Sequence, residues 1–288
     1  MRQLSQCDAV LPDILRDGSF EAVGFVAHPG EALLTFLADE RYLNELLGHP
    51  GVSAVITTAA LAERIPPSLG VAVTDEPRRT FFALHAHLAR ETDFYGADTP
   101  TAVDPSAEIH PTAHVPGTNV RIGARVRLEP HVVLLGRVIL EDDVCLRAGT
   151  VVGSEGFQFE REGERWVTVP HTGGVHLGRH VEVQANGTLA RALFGGWTTL
   201  GDDTKLDGRV FIGHDARLGR RNRVAAERWQ VWAGDLAREA GGGYTFVAAN
   251  IYAAVIVNLL DHLGGVMAPG GRFICSGITA DQGETVEK

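Results

Sequence analysis

The chain has 288 residues, 44% of them hydrophobic and 22% charged, with a formal net charge of −10. That length is ample for a buried core, and the negative balance excludes a blanket attraction to nucleic acid or anionic lipid, so any basic contact has to be local. Three widely spaced cysteines, Cys7, Cys145 and Cys275, form no CxxC pair and argue against a disulfide frame or a cysteine zinc site.

The opening stretch MRQLSQCDAVLPDILRDG contains no apolar core of signal-peptide length. The most apolar run, YTFVAANIYAAVIVNLL (244–260), is short for a membrane span and carries Asn250 and Asn258. The expectation is a cytoplasmic protein with no transmembrane segment.

Residues 1–97 read as a small α/β domain. VSAVIT (52–57) and GVAVT (70–74) have the look of short buried strands. In TFFALHAHLAR (80–90) the residues Phe81, Leu84 and Leu88 recur at helical spacing, and ERYLNELL (40–47) predicts a second helix. GADTPTAVDP (96–105) is rich in turn residues and predicts a linker.

From Val103 an internal repeat takes over. Aliphatic residues fall at Val103, Ile109 and Val115, then, one residue out of phase, at Ile122, Leu128, Leu134, Leu140, Leu146 and Val152. After an irregular insertion (153–174) the series resumes at Leu177, Val183 and Leu189. After a second insertion, RALFGGW, it runs through Leu200, Leu206, Ile212, Leu218 and Val224. A period of six suits a left-handed parallel β-helix: three short strands per triangular coil, each sending one aliphatic residue inward, with small residues or glycine at the corners. Stacking buries a column that no single repeat could bury alone. The fold expectation is therefore mainly β, with the β-helix over 103–224 between the α/β domain and a short C-terminal α/β segment over 225–288.

In that last segment RWQVWAGDL (228–236), YTFVAAN (244–250) and RFICSGI (272–278) predict strands. IYAAVIVNLLDHLGGVM (251–267) predicts a helix with Val255, Leu259, Leu263 and Val266 on one face, and APGG (268–271) predicts a turn.

Among twelve histidines, His214 stands out in KLDGRVFIGHDARLG (205–219), two residues after the inward Ile212 and next to Asp215. Its position predicts a ring pointing away from the column. His131, His176 and His180 read as surface histidines. Arg209, Arg217, Arg220, Arg221, Arg223 and Arg228 surround His214 in sequence and predict a local basic lip. No basic stripe with interleaved aromatics points to nucleic acid.

Several of these stretches resemble the UDP-3-O-acylglucosamine N-acyltransferases over roughly residues 20–222. The carriers are TFLADERYLNELL (35–47), SAVITT, the repeat array, GTVVGSEGFQFEREGERWVTVP (149–170) and KLDGRVFIGHDARLG. The resemblance implies a small uridine-binding domain, a left-handed β-helix and a homotrimer with active sites between subunits. It implies transfer of a 3-hydroxyacyl group from an acyl carrier protein thioester to the 2-amino group of a UDP-linked acylated glucosamine. No metal and no cofactor beyond that co-substrate is implied. His214, in the aliphatic-small-His motif Ile212-Gly213-His214, takes the role of general base. That role suits an imidazole that titrates near neutrality.

By the same resemblance Phe36, Asp39 and Tyr42 form the uracil pattern, with Asp39 where asparagine is usual. An ionised carboxylate accepts hydrogen bonds and donates none. Gly156, Phe157 and Phe159 line the acyl groove. His171 stands where glutamine is common, and Ala190 where an aspartate precedes Arg191. The basic residues Arg217, Arg220 and Arg221 are expected to receive the acidic carrier protein. An oxyanion donor is expected one coil on, near Trp232 or Gly234.

Over roughly 223–280 the chain instead resembles the later half of the AdoMet-dependent methyltransferases that modify ribosomal protein lysines. That resemblance implies a cleft position for Asn250. The glycine-rich cofactor loop that should precede it is missing, and Gly241–Gly243 lies between the wrong elements. This tail is expected to be a remnant that caps the open end of the β-helix. The alternatives to an acyltransferase are therefore a non-catalytic β-helix scaffold and an AdoMet-dependent methyltransferase fragment.

Overall fold

A computed structural model describes residues 1–11, 13–28, 30–224, 244–250 and 267–276. Met1–Ala226 forms one compact unit and Glu227–Lys288 a second.

The N-terminal part of the first unit is a five-stranded sheet in the order Ile14–Arg16, Gly70–Val73, Val52–Thr57, Leu33–Leu37, Ala22–Val23. All neighbours are parallel except Ile14–Arg16, which runs antiparallel to Gly70–Val73. Both sequence-predicted strands are there. The predicted helix over 80–90 is the longer helix Pro77–Glu91, opened by a proline whose missing N–H costs nothing in a first turn. Phe81, Leu84 and Leu88 are fully buried against the sheet. ERYLNELL divides in two: a 3-10 turn Glu40–Tyr42, capped by the Asp39 side chain, then the α-helix Leu43–Gly48.

The repeat region folds as a three-sided parallel coil. One sheet gathers Ala102–Val103, Val120–Ile122, Val138–Leu140, Gly174–Leu177, Trp197–Leu200 and Arg217–Leu218. The second gathers Glu108–Ile109, Arg127–Leu128, Cys145–Leu146, Glu182–Val183, Lys205–Leu206 and Arg223–Val224. The third gathers Val133–Leu134, Val151–Ser154, Thr188–Ala190 and Phe211–Ile212. The chain visits the first, second and third faces in rotation.

The predicted aliphatic positions from Ile122 to Ile212 lie in one buried cluster, with Ile109, Val115, Leu218 and Val224 packed against it. Burying each such side chain stabilises by roughly 1.5–3 kcal/mol before the entropy cost of ordering the chain. Val103 departs from expectation at 44% exposed, because its strand is an edge of the first sheet and has a neighbour on one side only. A second inward series escaped the period of six. Two residues before most of these aliphatics, Val120, Val126, Val132, Val138, Val144, Val175, Val181 and Val210 are also buried in the column, and Thr150, Thr198 and Thr204 are buried at the same position in other repeats, as strand alternation requires.

The corners correct another expectation. Glycine and small residues are the expected corner residues, yet the left-handed position is filled mostly by Asn119, Arg125, His131, Arg137, Asp143, His180, Asn186, Asp203, Arg209, Asp215 and Arg221, with φ from 54° to 63°. Gly149 is the glycine among them, at φ 73°. The corner geometry, not the residue's own preference, wins at these positions, and its cost is repaid by the stacked strands on either side.

In the second unit Tyr244–Asn250 pairs in parallel with Met267–Ser276. The predicted turn APGG is a correction: residues 268–271 lie inside the second strand. The register jumps from Tyr244↔Met267 to Phe246↔Arg272, so this segment is accommodated as an irregularity within the ladder. The predicted strand 228–236, the helix predicted over 251–267 apart from its last residue, Gly241–Gly243 and the oxyanion positions Trp232 and Gly234 lie outside the described residues.

Candidate functional site

The two insertions leave the coil at the same kind of corner, where the chain turns from the third face to the first. Residues 155–173 separate Val151–Ser154 from Gly174–Leu177, and 191–196 separate Thr188–Ala190 from Trp197–Leu200. In the next coil that turn is short, between Phe211–Ile212 and Arg217–Leu218, and it holds His214 and Asp215. The N-terminal domain packs onto the same inserted segments: Val169, Leu193 and Phe194 share a core with Phe20, Phe81 and Leu88. One corner therefore collects every departure from the repeat.

Asp215 takes the left-handed corner position, with φ 61°. Its N–H donates to Thr198 Oγ1 at 3.0 Å, and its carboxylate accepts the Leu193 N–H at 3.2 Å. His214 Nδ1 donates to Asp215 Oδ2 at 2.8 Å. A carboxylate offers no proton, so the neutral ring carries its hydrogen on Nδ1 and keeps the lone pair on Nε2. The His214 side chain is 27% exposed, so the ring stands outside the column and solvent reaches it. Burial pushes the Asp215 carboxyl up, but the bonds from His214 and Leu193 and the nearby His28 outweigh it and hold the group below the ordinary carboxylate range.

A second imidazole lies against the first. His171 is 3% exposed, and its ring meets that of His214 at a centroid distance of 5.2 Å and 69°. Gly156 is what lets the two rings close: a Cβ there would stand 2.6 Å from His214 Cδ2 and 2.8 Å from His171 Nε2. A third imidazole, His28, is near enough for His214, Asp215 and Arg217 to act on its charge, and burial keeps it below the ordinary histidine range. Phe157, beside Gly156, is 86% exposed and packs edge-on against Phe159 at 4.9 Å.

The other sequence-predicted residues are distributed differently. Phe36 and Asp39 lie at the C-terminal end of Leu33–Leu37, where ligands of parallel sheets gather, with Tyr42 following in the 3-10 turn. Phe36 is half-buried and packs on Phe81 at 5.0 Å. Tyr42 is 38% exposed, with the Arg41 guanidinium 5.9 Å from its ring. Asp39 accepts from the Arg41 N–H at 2.9 Å and from its guanidinium at 2.8 and 3.0 Å, contacts that hold the carboxyl below its usual range.

The arginines form no single lip. Arg217 is on the first face beside the His214 corner, whereas Arg220 and Arg221 occupy the next corner round, between the first and second faces. There they line an open cavity of about 400 Å³ with Arg179, His180, Asp202 and Asp203, and Arg220 pairs with Asp202 at 3.1 Å. Six residues of coil rotate the chain onto a new side, so neighbours in sequence are spread round the prism. Arg228 lies outside the described residues, as do any contacts of the Asn250 side chain.

Sequence reasoning passed over Thr198 and Leu193 as partners of Asp215, and His28 and His171 as neighbours of the corner. The substitution of His171 for glutamine was its one signal. Among the described residues no cluster of histidine, cysteine or carboxylates suits a metal ion, and no helix is long and apolar enough to cross a membrane.

Comparison with known proteins gives two different relations along the chain. It is 29% identical over 245 residues to UDP-3-O-acylglucosamine N-acyltransferase of Herminiimonas arsenicoxydans, covering 74% of this chain and 69% of that protein. It is 26% identical to the Bordetella pertussis enzyme of the same name, over 75% of this chain and 68% of the relative. With that of Coxiella burnetii it shares 29% identity over 69% of this chain and 64% of the relative. The chain thus spans about two thirds of the length of these relatives. Among solved structures, a histidine mutant of GDP-perosamine N-acetyl transferase from Caulobacter crescentus, in complex with CoA and GDP-perosamine, aligns at 17% identity, covering 68% of this chain and 76% of that one. Its TM-score is 0.18, too low to bear on the fold. The family model of ribosomal protein L11 methyltransferase (PrmA) matches residues 217–288. By sequence, then, the chain is similar to UDP-3-O-acylglucosamine N-acyltransferases over about three quarters of its length and to a methyltransferase family at its end, and the expectation of an acyltransferase is supported.

Proposed function

We propose that the chain is an N-acyltransferase that moves a 3-hydroxyacyl group from an acyl carrier protein thioester to the 2-amino group of a UDP-linked acylated glucosamine, with His214 as general base. The observation that carries this reading is the hydrogen bond from His214 Nδ1 to Asp215, which leaves Nε2 free to take a proton at a solvent-reached corner. The amine nitrogen attacks the thioester carbonyl as Nε2 removes its proton. The C–S bond of the tetrahedral intermediate then breaks, and the protonated ring returns the proton to the departing thiolate. Such a base contributes roughly 10²–10⁴-fold in rate. The reading assigns no step to a metal or cofactor.

The three-part organisation 1–97, 103–224 and 225–288, and a left-handed winding of the coil, belong to the same reading. The period of six, the three parallel sheets and the left-handed corners support it. A homotrimer is supported by the chemistry of the faces. The outward positions of the third face in register are His114, Val133, Val151, Thr188 and Phe211, with no acid, lysine or arginine among them. The second face presents Glu108, Arg127, Cys145, Glu182, Lys205 and Arg223 in the matching register, all but one of them charged. Phe211 is 60% exposed, which suits contact with another copy next to the His214 corner. Phe36 and Tyr42 flank the nucleotide in this reading, Gly156 and Phe157 border the acyl chain, and Arg217, Arg220 and Arg221 meet the carrier over two adjacent corners. The action is placed in the cytoplasm, where the carrier thioester is available.

A second reading, a non-catalytic coil, is favoured by the methyltransferase match, which begins within the last two coil strands. Acylation of UDP-linked glucosamine by a loaded carrier separates the two. Product with the wild type and none with His214→Ala is expected, and inactivity of both would establish the scaffold. Calorimetry with AdoMet tests the methyltransferase fragment, and no heat is expected.

A further inference from the structure

We infer that His171 is a positioning residue for His214, holding its unshared Nε2 lone pair against the His214 ring so that the ring is better able to carry positive charge. The inference deepens the reading of His214 as a base and rests on it for its part in turnover, although the contact between the rings stands by itself.

His171 Nδ1 lies 3.1 Å from the carbonyl oxygen of Val169. A carbonyl only accepts, so Nδ1 carries the hydrogen and Nε2 is a bare acceptor. That Nε2 is buried and has no hydrogen-bond partner among the described residues. A buried acceptor left empty costs on the order of 1–3 kcal/mol, so its retention calls for a reason. The position of Nε2 supplies one. Both Nε2 and His214 Cδ2 lie within 3 Å of the point where a side chain on Gly156 would begin, so the lone pair is on the side of the ring that meets His214.

The surroundings decide which ring takes the proton. His171 faces His214 from the coil, Glu155 from the inserted loop, Arg191 from the second insertion and His85 from the helix Pro77–Glu91. Glu155 and Arg191 pair with each other at 3.0 Å, and so largely cancel. Burial first, and then the neighbouring His214, lower the proton affinity of His171. His214 has the Asp215 carboxylate on its other nitrogen, with His28 and Arg217 beyond it. His171 is therefore kept neutral, with its bare Nε2 lone pair turned toward the His214 ring. Glutamine at this position would offer an acceptor oxygen without a ring.

The test is a titration of the imidazole nitrogens by NMR in the absence of substrate, on wild type, His171→Leu and His171→Gln. The His214 midpoint is expected to fall by about 0.5–1 pH unit in His171→Leu, where the lone pair is lost, and to return toward the wild-type value in His171→Gln. In the wild type the His171 Nε2 resonance should move as His214 titrates, a readout that survives if His171→Leu fails to fold. The acid limb of the acyl-transfer rate should shift with the midpoint while KM holds. An unchanged His214 midpoint in both variants, or a wild-type His171 resonance indifferent to His214, overturns the inference. Coupled titration without acyl transfer would retire the acyltransferase reading and leave the ring contact standing. Acyl transfer with independent titration would do the reverse.

Discussion

Two corners of the same coil show what a repeat does and does not supply. The corner between the first and second faces is regular and charged, and its stacked residues Arg125, Asp143, His180, Asp203 and Arg221 all share one left-handed conformation. Arg125 pairs with Asp143 at 2.7 Å, and His180 lies 3.7 Å from the same carboxylate. The corner between the third and first faces repeats the backbone turn at Asn119, Arg137 and Asp215, but two coils break out there into insertions, and the N-terminal domain packs against them. The charged corner is a solvated ladder. The interrupted one gathers His28, His171 and His214 and shields them from water to different degrees. The repeat supplies rigid, evenly spaced positions, and its interruptions supply burial and unlike neighbours, which are what alter proton affinities.

Several substitutions break or sharpen this contrast. The largest effect is expected from Phe211→Glu, which places a charge on the uncharged third face. Sedimentation should show trimers replaced by monomers, with acyl transfer lost alongside, whereas a charge exchanged on the second face, as in Lys205→Glu, should leave the assembly intact. Within the column shared by both corners, Leu146→Ala should lower the free energy of unfolding by about 2–5 kcal/mol in urea titrations, because Leu146 is fully buried and its neighbours belong to fixed strands.

His85 ties the interrupted corner to the N-terminal domain. Its Nε2 donates to Pro170 O at 2.7 Å, and in the neutral ring that burial favours Nδ1 accepts from the Tyr95 hydroxyl at 2.6 Å. Burial lowers it to about 4. With the folded value below the unfolded one, the unfolded chain takes up the proton first, so this stability is present above about pH 6.5 and fades as pH falls toward 4. His85→Gln should flatten that part of the stability–pH curve by up to about 3 kcal/mol. The smallest effect belongs to the charged corner: Arg221→Ala should weaken apparent affinity for the carrier protein by about two- to five-fold at low salt and by less at high salt.

The column was legible in the sequence because it obeys a local rule, an aliphatic every six residues. The strands Val52–Thr57 and Gly70–Val73 and the core of the helix Pro77–Glu91 were also legible from local patterns, a short apolar run in each strand and helical spacing over 80–90. The exposure of His214 followed from its distance to Ile212. What could not be read was which distant residues reach that ring. Leu193, Thr198, His171 and His28 come from separate segments, and their convergence depends on which corner each insertion leaves. The arginine cluster shows the converse error: it was contiguous in sequence, but each six-residue step carries the chain to another side. The APGG segment misled because proline and glycine mark a turn only where no neighbouring strand can absorb the extra residues.

Acyl transfer from a loaded carrier protein, measured side by side for His214→Ala and Arg221→Ala with both variants verified as trimers, tests the assignment of the reacting corner most directly. The account expects a loss of roughly 10²–10⁴-fold in the first and no more than about five-fold in the second. Wild-type activity in His214→Ala, or equal losses in the two, would contradict it.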